Sequence, residues 1–159
     1  PSYMRTVRNK VPRVYKDGRD LTIGRGSLLK EGTDVAIFSC GVMVAEALAA
    51  SEILSAEGIN CSVVDMHTIK PLDVDLIAKL AVKCGCFVSA EDHSVVGGLG
   101  GALSEWLSAN NPIPLQMVGV KDRFGQSGGS TELMEIMGLT QSEICEAARR
   151  AMRRKNAAR

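Results

Sequence analysis

From Asp34 onward the chain alternates short β-branched runs with longer stretches of helical periodicity, and this alternation constrains the fold more than any other feature. Parallel strands need a crossover of a dozen or more residues, which the helical stretches supply. The pattern therefore predicts an α/β fold of three layers, a mostly parallel open sheet of about five strands with helices on both faces. The first run is Val35 to Cys40, closed by Gly41. Val44, Leu48, Ile53 and Leu54 then recur near helical spacing until Gly58 supplies a C-terminal stop. The second run is Cys61 to Met66. Pro71 breaks it, and Asp73 is placed to cap a helix running through Lys83. A third run, Cys86 to Ala90, leads through Glu91-Asp92-His93 into a glycine-rich turn. A helix over 98–109 follows, with Leu99, Leu103, Trp106 and Leu107 on its apolar side. After a fourth run, Leu115 to Val120, and an irregular stretch, a short helix begins at Ser130 and ends by Gly138. Thr140-Gln141-Ser142-Glu143, a capping box, opens a long one through about Lys155.

The first 33 residues break the alternation. They are basic, carry Pro12, turn signals at Lys16-Asp17-Gly18 and Gly24 to Gly26, and one short strand pattern at Leu21 to Ile23. They read as a linker or the end of a preceding domain, and Pro1 as a cut or processed end. At 159 residues and 45% hydrophobic content the chain is ordinary globular material for one domain, which excludes wholesale disorder. No apolar run approaches the ~20 residues of a membrane span. Five cysteines are an odd number, set mostly in apolar segments, so unpaired thiols in the cytoplasm are expected rather than a disulfide framework. Cys84-x-Cys86 lacks zinc-knuckle spacing and both histidines lie far from it along the chain, so no metal site is expected.

Charge is segregated. Residues 1–30 carry eight Lys or Arg against two Asp or Glu, residues 31–148 five against sixteen, and residues 149–159 six against none. The terminal cations close a helix whose dipole they complement, so nucleic acid is not an expected partner.

Gly97-Gly98-Leu99-Gly100-Gly101, between a strand and a helix, is the sharpest local feature. Amides at such a helix start can cradle an anion, or the glycines can let the helix pack closely against the sheet or another chain. It is neither a dinucleotide fingerprint nor a P-loop. Gly41 with Asp65 mimics a ribose-binding pair, but one glycine is too few, and Asp65 is expected to bond neighbouring backbone. Glu91, Asp92 and His93 at a strand's carboxyl end carry acid–base chemistry, yet successive residues of an extended segment point in different directions. An interface or supporting role is expected. Ser39-Cys40-Gly41 is no nucleophile elbow.

Taken together, three segments resemble the C-terminal domain of transketolase in content, order and spacing: Thr68-Ile69-Lys70-Pro71-Leu72-Asp73, then Glu91-Asp92-His93-Ser94-Val95-Val96-Gly97-Gly98-Leu99-Gly100, then Asp122-Arg123-Phe124-Gly125-Gln126-Ser127-Gly128. The resemblance covers roughly residues 1–153. It implies that residues 1–15 are the end of a pyrimidine-binding domain and its linker, and residues 16–159 the C-terminal domain. The family transfers a two-carbon ketol unit between phosphosugars, as in the pentose phosphate pathway, using thiamine diphosphate and a divalent metal such as Mg. Both are held between two other domains, so this chain is expected to bind neither alone and to be inactive alone. By the resemblance Arg8 contacts the substrate phosphate, a sensible role for a guanidinium. Glu91, Asp92, His93, Gly97, Gly98 and Gly100 are expected at an interface or ligand loop. No catalytic residue is assigned. The expected partners are the missing thiamine-binding domains or an N-terminal subunit, in a homodimer or heterotetramer. Two alternatives remain: a module that binds a phosphorylated or nucleotide regulator, and the equivalent domain of 1-deoxyxylulose-5-phosphate synthase or a 2-oxoacid dehydrogenase β subunit.

Overall fold

The computed structural model describes residues 1–7, 10–15 and 21–157. Among these residues five strands and five helices follow one another: β1 (Ser27–Lys30), β2 (Val35–Ser39), α1 (Met43–Ala56), β3 (Cys61–Asp65), α2 (Val74–Cys84), β4 (Phe87–Ser94), α3 (Leu99–Asn110), β5 (Leu115–Val120), α4 (Ser130–Met137) and α5 (Gln141–Ala157). The sheet order is β1-β3-β2-β4-β5. β2, β3, β4 and β5 run parallel, with Val35 beside Cys61 and Ala36 beside Phe87, while β1 is antiparallel to β3 at one edge. The three-layer, mostly parallel α/β fold is as expected.

Strand alternation sends successive side chains to opposite faces and builds two cores. One face of β2, β3 and β4 (Val35, Ile37, Val63, Val88, Ala90) packs against Met43, Ala47, Ala50 and Leu54 of α1 and Ile144, Ala147, Ala148 and Ala151 of α5. The other (Ala36, Phe38, Val64, Phe87) meets Ile77 and Leu80 of α2 and Leu99, Leu103 and Leu107 of α3. Phe38 and Phe87, with ring centroids 4.7 Å apart, anchor the second core. Burying each contributes roughly 1.5–3 kcal/mol. The chain passes from β3 over α2 to β4 on the far side of β2, so the direction of strand addition reverses between β2 and β4.

Three expectations need correction. The strand pattern at Leu21 to Ile23 forms no strand: Arg25 N–H donates to Thr22 O at 3.0 Å, Gly24 turns with φ +81°, and Ile23 lies exposed. The edge strand is Ser27–Lys30 instead, selected because Gly26 lies closely on Leu76, Met66 and Val64 and its N–H bonds Asp73 Oδ2 at 2.9 Å. The third run extends through Ser94 and takes Glu91, Asp92 and His93 into β4. Ile53, expected on the apolar side of α1, is exposed, because Ala47 and Ala50 form the face on which α5 closes. The turn expected at residues 16–18 lies outside the described residues.

Candidate functional site

The reversal between β2 and β4 opens a crevice at the carboxyl ends of the strands, the usual ligand position in open α/β sheets. Glu91, Asp92 and His93 lie toward the end of β4, and the pleat turns Asp92 away from Glu91 and His93.

Glu91 is 1% exposed and turns toward α3. Its Oε2 accepts the N–H of Leu99 and its Oε1 that of Gly100, each at 2.8 Å. A carboxylate thus occupies the positive end of α3 and satisfies two of the amides that a helix start leaves unpaired. Gly98 permits this approach. A Cβ there would stand 2.0 Å from Glu91 Oε2 and 2.9 Å from His93 Nδ1. Gly97 turns the chain with φ +77°, and Gly100 lies where a Cβ would meet Ser89 Oγ at 2.7 Å. Both roles considered for this loop are therefore realised internally: the glycines pack closely, and the anion in the cradle is the chain's own. An outside anion at this helix start would have to displace Glu91 from the Leu99 and Gly100 amides.

Asp92 faces the N-terminal segment. Arg5 Nη2 donates to its Oδ2 at 3.0 Å and to its backbone carbonyl. His93, half exposed, donates from Nδ1 to Ser94 O at 2.8 Å and stands 3.9 Å from Glu91 Oε2. Glu91 and His93 thus meet beside Gly98, while Asp92 turns to Arg5.

On the other side of β2, Asp65 is also buried. Tyr15 Oη donates to its Oδ2 at 2.5 Å, while its Oδ1 has no hydrogen-bond partner among the described residues. Its side-chain partner is therefore Tyr15, not the neighbouring backbone that was expected. Burial first, then the Glu91 and Asp65 charges, pushes the Cys40 thiol up to about 12, with Arg5 opposing. A thiol so raised stays protonated near neutral pH and reacts slowly. Ser39 is fully buried and donates to Val64 O at 3.2 Å. A cavity of about 650 Å³ opens beside Arg5 and Asp92, between the N-terminal segment, α1 and α4.

Asp73 matches its expected role. It accepts the N–H of Leu76 at 3.2 Å to cap α2, and also takes Gly26 N–H and the Arg25 guanidinium. All five cysteines are free thiols. Among the described residues no group of three or more His, Cys, Asp or Glu could hold a metal ion, and no helix is long and apolar enough to cross a membrane. Arg8 lies outside the described residues. Sequence reasoning missed the anchors Arg5 and Tyr15. Arg5 stood only in a basic stretch, and nothing local signals a partner 87 residues away.

Comparison with known proteins matches residues 24–144 to the family model of the transketolase C-terminal domain. The 6-deoxy-6-sulfo-D-fructose transketolase subunit SqwH of Clostridium sp. (strain MSTE9) is 46% identical over 156 residues, 98% of this chain and 48% of the relative. An apulose-4-phosphate transketolase subunit of Phocaeicola vulgatus is 38% identical over 149 residues, 93% of this chain and 47% of the relative. A solved structure described as a split gene transketolase, inactive beta4 tetramer, superposes with a TM-score of 0.90 at 45% identity, covering 93% of this chain and 48% of that one. The chain spans about half the length of these relatives.

Proposed function

The chain belongs to the transketolase C-terminal domain family, and from that premise we propose that it is the C-terminal portion of a thiamine-diphosphate-dependent transketolase of the split-subunit kind. The enzyme moves a two-carbon ketol unit between sugar phosphates, and this chain braces and joins its parts in a homodimer or heterotetramer. Residues 1–15 are the tail of the pyrimidine-binding domain and the linker, and Arg8 within them contacts the substrate phosphate. The coenzyme and its divalent metal are held by the domains that precede this one. There the coenzyme supplies the nucleophilic carbon that carries the ketol unit. The five free thiols support the cytoplasm as its compartment.

The observation that carries this reading is the match at 45% identity, over nearly the whole chain, to a split transketolase chain about twice as long. The supporting role is favoured by Glu91. Both oxygens of this buried carboxylate, near the end of β4, are taken up by the start of α3.

The test is reconstitution. The 159-residue chain alone should bind no thiamine diphosphate in calorimetry and turn over no ketose phosphate. Mixed with the complementary thiamine-binding polypeptide, it should restore ketol transfer to an aldose phosphate acceptor. Turnover by the lone chain, or a correctly folded pair that stays inactive, defeats the proposal. Pyruvate consumption by the pair would assign it to the deoxyxylulose-phosphate synthase branch instead.

A further inference from the structure

We propose that Asp92 and Asp65 are positioning residues: by anchoring Arg5 and Tyr15 they pin the segment entering this domain across the carboxyl edge of the sheet, and so fix how the preceding, thiamine-binding part of the enzyme is held. The catalytic half of this inference rests on the proposed function; the anchoring does not.

The N-terminal segment has no strand or helix of its own through residue 15 among the described residues, and residues 1–7 are exposed. Such a segment gains a defined path only from side-chain contacts. Two long-range contacts seen among the described residues are Arg5 to Asp92 and Tyr15 to Asp65. The acceptors lie at the ends of β4 and β3, the two neighbours of β2, about 10 Å apart at ordinary strand spacing. Ten residues can reach about 33 Å, so the segment is not stretched between them. The anchors choose its course rather than resist tension.

Their chemistry differs in a useful way. Asp65 is a buried carboxylate with one oxygen on Tyr15 and the other without a hydrogen-bond partner among the described residues, so it has strong need of that donor. Asp92 and Arg5 are each about half exposed, at 43% and 48%, and such a pair adds little to stability. Its value is directional. One guanidinium nitrogen, Nη2, reaches both the carboxylate and the carbonyl of Asp92, which restricts where Arg5 can sit. Cys40 follows β2, between the strands that carry the two acceptors, and its N–H donates to Ala90 O at 3.3 Å, so its thiol feels Arg5, Asp92 and Asp65 together.

That thiol reports on the anchors without any activity assay. Tyr15→Phe and Arg5→Gln should each speed maleimide labelling of Cys40 several-fold at one fixed pH, with the circular dichroism unchanged, because the other four thiols are buried. Removing the Arg5 cation raises the thiol pKa and by itself slows labelling, so acceleration in Arg5→Gln can come only from access. In the assembled enzyme, Asp92→Asn and Tyr15→Phe should raise KM for the sugar phosphate several-fold and leave kcat little changed. The charge swap of Arg5→Asp with Asp92→Arg should restore KM. Parental labelling rates in both variants overturn the anchoring. Faster labelling with an unchanged KM overturns the positioning role. If the assembled pair transfers no ketol unit, it is the proposed function that fails, and the labelling arm still decides the anchors.

Discussion

Glu91 shows how one side chain can close a site that its surroundings invite. Its two oxygens complete the start of α3, and Gly98 leaves the space they need. Glu91→Gln places a donor against an N–H and is expected to lower stability by about 2 kcal/mol in urea unfolding; an unmoved midpoint would contradict the cap. Gly98→Ala, with a methyl overlapping Glu91 Oε2, should cost about 1–3 kcal/mol. Gly101→Ala, two residues into α3 from its start and facing open space, should instead stabilise by about 0.5–1 kcal/mol. Opposite signs at two glycines of one run separate close packing from a general need for flexibility. In the sequence the four glycines of the run read alike, because local spacing carries no record of what packs above a Cα.

At the level of elements, caps and small residues decide how helices join the sheet. α5 closes on α1 through Ala147, Ala148 and Ala151 against Ala47 and Ala50, and Ala147→Leu is expected to cost about 1–3 kcal/mol by overpacking, read in a thermal melt. The same pair of helices is tied at the surface by Arg149, which donates to Glu57 at 2.5 Å. The hydrogen bond from Arg149 holds the Glu57 carboxyl below its ordinary 4.5. A carboxyl lowered in the folded state stabilises above its unfolded value and loses that contribution as pH falls through the folded one. Acid titration of Glu57→Gln should therefore show a shallower stability loss below about pH 4.5 than the parent; superimposable curves refute the linkage. Asp73→Ala removes the cap of α2 and also frees Gly26 N–H, so a loss of about 1–2 kcal/mol should come with faster amide exchange in β1. Asp73 was legible as a cap because capping is local. β1 was not, because its place depends on Asp73, Met66 and Val64, roughly forty or more residues downstream.

For the molecule as a whole, the buried thiols set an alkaline limit. Burial pushes Cys61 up to about 12 and Cys86 up to about 11, from an ordinary 9.0. Above pH 9 the unfolded chain gives up protons that the folded chain keeps, so stability falls as pH rises toward those values. Cys86→Ala should flatten that decline, and an unchanged slope between pH 9 and 11 would remove this account. The sequence alone determined the α/β class, the strands from Val35 onward, the caps at Asp73 and Thr140, and the family, since all of these are written in periodicity, local hydrogen bonding and short motifs. Only the tertiary structure decided that β1 is Ser27–Lys30, that the glycine cradle holds Glu91, and that Arg5 and Tyr15 clasp Asp92 and Asp65. The edge strand and the two clasps join residues far apart in the chain, and the cradle closes across the turn from β4 to α3. Such pairings depend on where the folded sheet brings strand ends together, and no local pattern encodes that distance.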